Sequence, residues 1–381
     1  MKRLLLVGGG QAHAFVLRAL AANPRRDVEV VLVTPSDRLV YSGMLPGWVA
    51  GHYTLPELTI PLPPLAAAAG AVLMHRRVTG LDLERKVVVT DRGEAIEFDL
   101  LSIASGPAVD FDAIPGSRDF ALPIRPLDNF IEGWTRIHAH ALATTDPVRL
   151  TVIGAGAGGV EIALAMKYRL RARRDQLRVQ LVTGDGRILP GHGTSARRFL
   201  EDALLRQGVR LVEGMVQHLE RDTALLEDGA ALPSDATLLI TGAAAEAWPG
   251  EAGLATDERG FILVNGHLQS TSHPFVFAAG DAATFADTPR PKSGVYAVRA
   301  GPPLAANLLA TLDGSPLASF RPQRRALYLI STGPQHAVAS WGSIAFAGDW
   351  VWRWKDRIDR GYIAKFKLAW PVDGPSAPAR R

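Results

Sequence analysis

The chain has 381 residues, 47% of them hydrophobic and 21% charged, with 42 Lys and Arg against 38 Asp and Glu, a formal net charge of +4. That length and mixture give two or three globular domains, and the basic residues are too scattered, and too free of any recognition motif, to serve nucleic acid. Cysteine is absent, which excludes disulfides, thiolate metal sites, Cys-ligated iron–sulfur clusters and redox dithiols together.

Residues Met1-Lys2-Arg3 lead directly into a strand and a glycine turn, so no signal peptide is expected. No apolar run reaches the roughly 18–20 residues of a spanning helix. Pro61 to Met74 is broken by prolines and dominated by alanine. A cytoplasmic chain is the default expectation. Leu4 to Val7 reads as a buried strand, Gly8-Gly9-Gly10-Gln11-Ala12-His13 as a tight turn, and Phe15, Val16, Leu17 and Leu20 as a helix face. Gly8 allows the turn and Gly10 the approach of a pyrophosphate, with helix N–H groups as donors. His13 stands where a third glycine is usual; its ring either points to the ligand or lies on the helix face.

The strand Val28 to Val33 runs into Thr34-Pro35-Ser36 instead of an acid for a ribose, which leaves Ser36 or Asp37 for that task. Tyr41 to Gly47 reads as an irregular loop. Val72 to Val89 and Ala95 to Ile103 read as a β-meander turning at Asp91-Arg92-Gly93, and Leu127 to Leu142 as a helix opening a second domain. Arg149 to Ile153 is a strand followed by Gly154-Ala155-Gly156-Ala157-Gly158-Gly159-Val160-Glu161, a complete G-x-G-x-x-G between strand and helix that calls for a bound pyrophosphate. The strand Arg178 to Val182 again lacks a ribose acid at its tip. Arg187, or the cluster Arg171, Arg173 and Arg174, could favour a 2′-phosphate, or the cluster is a solvated helix end.

Arg197 to Gln207 reads as an amphipathic helix, and Val209 to Glu213, Thr223 to Leu226 and Ala236 to Thr241 as strands. Leu238 to Gly242 repeats the strand-then-glycine closure of Ile103 to Gly106, as two related folds in one chain would. Phe275 to Ala279 is a β-prone run that leaves Asp281 at the carboxyl end of a strand, where open α/β sheets bind ligands. Pro291 to Asn307 reads as a turn opening a helix. In the last segment Trp350, Trp354, Ile358 and Tyr362 share one helical face, with Arg353, Arg357 and Arg360 on the other side. Such a face suits peripheral membrane contact, the protein's own core, or a second copy in a homodimer. Residues 371–381 read as a disordered tail.

Thr271 to Asp281 resembles the T-x-x-x-x-aliphatic-aromatic-A-x-G-D signature of two-dinucleotide-binding flavoproteins. Ala104-Ser105-Gly106 resembles the A-T-G motif that closes their first segment, with Ser for Thr. With the two glycine turns, Tyr41 to Gly47, Pro291 to Asn307 and the Trp-rich end, nearly the whole chain resembles the pyridine nucleotide-disulfide oxidoreductase superfamily. Within it the chain is most similar to the type II NADH dehydrogenase-like branch related to the oxidoreductase found fused to selenide, water dikinase.

The resemblance implies an α/β fold of glutathione reductase type: two Rossmann-like dinucleotide-binding domains with a small C-terminal α+β region. Residues 1–118 and 247–312 would form the FAD-binding domain, 119–246 the NAD(P)H-binding domain, and 313–370 an interface or membrane-docking region. It implies that Gly8, Gly10, Gln11, Ala12, His13, Thr34, Ala104, Ser105, Gly106, Gly280 and Asp281 hold FAD, with Asp281 on the ribityl chain. Gly154, Gly156 and Gly159 would hold NAD(P)H, and Glu161 matches a Glu near the nicotinamide. Tyr41 and Pro46 would lie over the isoalloxazine, where disulfide reductases carry a Cys pair. Lys292, Gly294 and Val295 would face its pyrimidine side and stabilise negative charge.

The implied activity is hydride transfer from NAD(P)H to FAD, then electron transfer to a quinone, with no metal. Arg299 and Ala300 stand where the type II enzymes carry glutamines for the quinone. The alternatives are reduction of a soluble small molecule or a protein electron carrier, and a non-catalytic flavin-binding module linked to selenium metabolism. The implied location is the cytoplasm or the inner face of the membrane.

Overall fold

The computed structural model describes residues 1–173 and 175–367; Arg174 and the expected tail at 371–381 lie outside the described residues. The chain opens with β1 (Lys2–Val7), α1 (Gln11–Ala22), β2 (Val28–Thr34), α2 (Leu45–Ala50), β3 (Ala71–His75) and β4 (Leu100–Ile103). Leu4 to Val7 are all buried, as an unbroken apolar run in a parallel sheet must be. β1 pairs in parallel with β2 on one side and β4 on the other, and β2 pairs with β3.

The second unit repeats the plan with β5 (Ala121–Pro123), α3 (Leu127–Ala143), β6 (Val148–Ile153), α4 (Ala157–Arg169), β7 (Leu177–Thr183), α5 (Thr194–Gln207), β8 (Val209–Glu213) and β9 (Ala236–Leu239). Its sheet runs β5-β9-β6-β7-β8, parallel throughout. The chain then returns: β10 (Val276–Ala278) pairs with β4, completing a first sheet of order β10-β4-β1-β2-β3. The two sheets therefore share one core order, a central strand (β1 or β6) flanked by its successor on one side and by β4 or β9 on the other. The fifth strand arrives late in the first sheet and early in the second.

The stretch expected as one meander divides three ways. Its two ends, β3 and β4, belong to the parallel sheet, and only Val78–Asp82, Val87–Thr90 and Ala95–Glu97 form an antiparallel insert. Both β3 and the insert are β-prone runs, so local pattern could not separate them; pairing with β2 does.

α6 (Gly294–Asp313) packs on α1, so closely that a Cβ on Gly301 would lie 2.3 Å from the Phe15 ring. Beyond it, β11 (Tyr328–Ser331), β12 (Ala337–Trp341) and β13 (Ile344–Gly348) form an antiparallel sheet covered by α7 (Asp349–Ala364). α7 buries Val351, Trp352, Lys355, Asp359, Tyr362 and Ile363. Trp350, Trp354 and Ile358 stay exposed, as do Trp341 and Ile344 of the adjoining hairpin. Tyr362 thus leaves the face expected for it and packs inward, stacked on Tyr41 with ring centroids 4.4 Å apart and edge-on to Phe15. Among the described residues no helix is long and apolar enough to cross a membrane.

Candidate functional site

A cavity of about 650 Å³ opens at the carboxyl ends of β1, β2, β4 and β10, where the strand order reverses. Gly8 sits at φ +96°, and a Cβ there would lie 2.5 Å from Ser105 Cα; a Cβ on Gly10 would lie 2.4 Å from Ala104 O. The turn after β1 is thus pressed against the turn after β4. Gly10 is a glycine because the chain itself leaves no room, a reason the sequence had assigned to the ligand. Gly10 also caps α1 with no side-chain hydrogen bond, so the first N–H groups of the helix remain as donors. Beside them Gln11 Oε1 is buried without a partner.

Of the sequence-assigned FAD residues, Gly8, Gly10, Gln11, Ala12, Thr34, Ala104, Ser105, Gly106, Gly280, Asp281 and Gly294 line this cavity; His13, Pro46, Lys292 and Val295 do not. His13 lies fully buried beneath the glycine turn. Its Nδ1 is 2.6 Å from Gly8 O, which can only accept, so Nδ1 carries the proton and the Ser102 hydroxyl donates to Nε2 at 2.8 Å. Burial drives the imidazole down to about 4, against the opposing effect of the Gly8 carbonyl, so the ring is neutral. Pro46 is buried in the first turn of α2.

Lys292 donates to Ala283 O at 2.5 Å and Thr284 Oγ1 at 2.9 Å, and stands 3.7 Å from the Phe261 ring centroid. Its ammonium is already engaged, and burial lowers it to about 8, against the pull of Asp281 and Asp257. It lines a small space behind Asp281 instead of the cavity itself. Asp281 has only 11% of its side chain exposed, with Arg125 Nη2 at 3.6 Å. Burial raises its carboxyl above the ordinary range, with Arg125 and Lys292 opposing.

No acid stands at the end of β2, but one reaches the same edge of the cavity from another element. Asp128, in the first turn of α3, lines the cavity beside Ser36. The Ser36 hydroxyl donates to Asp128 Oδ2 at 2.7 Å and Arg38 Nε to Oδ1 at 2.6 Å. Asp37 lies outside the lining. Asp128 reads in sequence as a helix-start acid, and only the fold carries it 92 residues to Ser36. Five arginines, Arg38, Arg76, Arg77, Arg118 and Arg125, line the cavity against the acids Asp128, Glu246 and Asp281. A cationic cavity with free helix N–H groups fits a diphosphate-bearing cofactor, and the orphaned Gln11 oxygen calls for a donor such as a hydroxyl or amide N–H.

The second glycine turn lies outside this cavity. Gly154 sits at φ +108°, with an added Cβ 2.3 Å from Ile240 O, and a Cβ on Gly159 would come within 1.8 Å of Gly154 O. Gly156 differs from both: its φ is −67° and nothing lies within 4 Å of an added Cβ. Neither backbone nor packing requires a glycine there, so the position is open to a ligand's approach. Arg173 is occupied by the carbonyls of Ala141, Thr144 and Asp146, and Arg171 by Tyr168, so neither is a free phosphate partner.

Tyr41 and Glu161, far apart in sequence, meet at α7. Lys355 Nζ donates to Asp359 Oδ2 at 2.6 Å and Gly43 O at 2.5 Å, and Tyr41 Oη donates to Asp359 Oδ1 at 3.1 Å. Glu161 Oε1 accepts from the Ser331 N–H at 2.8 Å. Burial lifts the Glu161 carboxyl to about 7; Lys355 and Ser331 oppose and Asp359 reinforces. Burial likewise pushes the Tyr41 hydroxyl far up, aided by Asp359. Tyr41 thus turns to α7 and does not line the cavity. Sequence reading missed Lys355 and Asp359; the available signal was an i, i+4 ion pair on the otherwise apolar face of the last helix.

Residues 2–301 match the pyridine nucleotide-disulphide oxidoreductase family. The chain is 25% identical to the demethylphylloquinone reductase NdbB of Synechocystis sp. over 91% of its own length and 88% of the relative's. It is 29% identical to the NADH dehydrogenase-like protein Rv1812c of Mycobacterium tuberculosis over 74% of this chain and 73% of that one. The sulfide:quinone oxidoreductase structure from Aquifex aeolicus superposes with a TM-score of 0.79 at 19% identity, covering 96% and 92% of the two chains. The doubled strand order, the paired glycine turns and the match over residues 2–301 agree: this chain belongs to the pyridine nucleotide-disulphide oxidoreductase family.

Proposed function

We propose that this protein is an FAD-dependent oxidoreductase that takes hydride from NAD(P)H and passes the electrons to a quinone, with no redox disulfide. The observation that carries the reading is the pair of glycine turns, one against a cationic cavity with the orphaned Gln11 oxygen, the other with open space at Gly156 for a ligand to approach. In this reading residues 1–118 and 247–312 bind FAD and 119–246 bind NAD(P)H. The α1 N–H groups and the cavity arginines hold the diphosphate, Asp281 the ribityl hydroxyls, and Asp128 with Ser36 the adenosine ribose. FAD, when bound, supplies the two-electron relay between nicotinamide and quinone. Burial raises the Glu161 carboxyl to about 7, within reach of proton exchange near neutral pH.

The relatives named as a demethylphylloquinone reductase and a sulfide:quinone oxidoreductase support the quinone. So does the exposed strip Trp341, Ile344, Trp350, Trp354 and Ile358, flanked by the exposed Arg353 and Arg357, which suits peripheral contact with the bilayer that dissolves quinones. The test is anaerobic mixing of the purified protein with NADH and, separately, NADPH in a stopped-flow spectrometer. Rapid bleaching of the visible flavin band by either donor, and its return on adding a quinone, is the expected result. A yellow protein that neither donor bleaches overturns the reading.

A further inference from the structure

The two parallel sheets match beyond their strand order. Gly8 N–H donates to Val33 O at 2.8 Å and Gly154 N–H to Val182 O at 3.1 Å, so the glycine turns hang from corresponding places on β2 and β7. The next residue is a threonine in both, Thr34 and Thr183, and each stands opposite the last residue of the neighbouring strand: His75 of β3 in the first sheet, Glu213 of β8 in the second. In the first sheet the two residues after His75, Arg76 and Arg77, line the cavity. Their counterparts in the second are Gly214 and Met215, directly after Glu213.

A dinucleotide fold of this kind sets an acid on the ribose hydroxyls about 20 residues beyond its glycines, at the tip of the second strand. β7 ends on Thr183 instead, but Glu213 brings a carboxylate to the same turn. Its Oε2 lies 2.8 Å from where a Cβ on Gly186 would stand. Gly214 N–H donates to Thr183 O at 2.9 Å, tying the tip of β8 to that of β7, and Leu189 N–H donates to Ala155 O at 2.8 Å, tying the turn after β7 to the second glycine turn. The Glu213 side chain is exposed and carries no hydrogen bond or ion pair among the described residues. Asp185, the other acid here, accepts the Arg187 N–H within its own turn at 3.1 Å. Met215, 54% exposed, gives this edge an apolar surface of the kind an adenine covers.

We propose that Glu213 makes this protein select NADH over NADPH, by accepting hydrogen bonds from the adenosine ribose and repelling a 2′-phosphate. This rests on the reading that residues 119–246 bind the nicotinamide dinucleotide. The ribose diol brings two O–H donors, which an unpartnered carboxylate accepts side by side. A 2′-phosphate brings no such pair and adds about two negative charges at neutral pH. At this turn it meets two carboxylates, Glu213 and Asp185, against the one guanidinium of Arg187. Arg187 softens the discrimination without reversing it, since like charges set together exclude the wrong ligand more than a single exposed cation attracts it.

The experiment is calorimetric titration of the FAD-loaded full chain with ADP-ribose and, separately, with its 2′-phosphate, neither of which can reduce a flavin. The wild type is expected to bind ADP-ribose at least about tenfold more tightly. Glu213→Gln should close most of that gap, chiefly by tightening the 2′-phosphate, and Glu213→Arg should invert it. Arg187→Ala should widen it, which keeps the proposal exposed if the Glu213 variants fail to fold. Equal affinities in the wild type, tighter binding of the 2′-phosphate, or a ratio that Glu213→Gln leaves unchanged overturns the proposal alone. A chain that binds neither compound overturns the reading of the second glycine turn and the proposal with it.

Discussion

In the first glycine turn the carbonyl of Gly8 receives a hydrogen bond from His13 Nδ1 at 2.6 Å, while in the second the carbonyl of Gly154 lies where a Cβ on Gly159 would come within 1.8 Å. Residues 13 and 159 hold the same third place in their turns. At the second turn a helix is brought onto the strand by deleting a side chain. At the first, a full imidazole is inserted and its cost met by hydrogen bonds at both nitrogens. The close helix-to-strand approach that the third glycine allows at the second turn is replaced at the first by a neutral histidine hydrogen-bonded to the strand-end carbonyl and to the serine beneath it.

Breaking the two turns separately should give the largest effects. Gly8→Ala places a methyl against Ser105 backbone at a positive φ and should cost about 3 kcal/mol, yielding protein that purifies colourless. Gly159→Ala strikes Gly154 O; it should stay yellow but bleach about 100-fold more slowly with the nicotinamide. Loss of flavin from Gly159→Ala would show that the turns do not divide the two ligands.

His13→Ala leaves Gly8 O and the Ser102 hydroxyl without their partner and should cost about 2–3 kcal/mol, read by denaturant unfolding. The sign of the pH effect follows from the lowered imidazole. The unfolded ring binds a proton below its ordinary 6.5 and the folded ring only near 4. Wild-type stability should therefore fall as pH drops between those values, by on the order of 3 kcal/mol in all. His13→Ala should lack this dependence.

Gly156→Ala meets open space and should leave stability within about 0.5 kcal/mol while weakening NAD(P)H binding about tenfold, measured by titration calorimetry. Gly10→Ala, at the matching position of the first turn, strikes Ala104 O and should fail structurally. Equal stability losses at the two positions would end the comparison. The smallest effect is expected of Asp128→Asn, a loss of about fivefold in FAD affinity on reconstitution of apoprotein.

Strand, turn and helix around both glycine turns were legible because an apolar run followed by glycines and a 3.6 period is a local signal. Asp281 was legible for the same reason, at the end of a strand. The residues that complete each site were not. Asp128 reads as an ordinary helix-start acid and reaches Ser36 only because α3 passes the end of β2. Lys355 and Asp359 sit in a helix whose tryptophans and arginines dominate its pattern, and they come near Glu161 only because β11 of the C-terminal sheet lies against both α4 and α7. Lys292 shows the converse: it stands in the loop before α6, where the sequence put it, but it lies outside the cavity with its donors on Ala283 and Thr284.

The first sheet borrows its outer strand from residues 276–278, whereas every strand of the second lies between 121 and 239. On a ribosome, then, the half encoded later is the half that can finish earlier. Until β10 has emerged, β4 presents a hydrophobic, unpaired edge, open to any strand that reaches it first. Synthesis of this protein therefore passes through a stage in which a complete nucleotide-binding unit travels with an unfinished one. A chain cut short between β9 and β10 would leave the first sheet permanently one strand narrow.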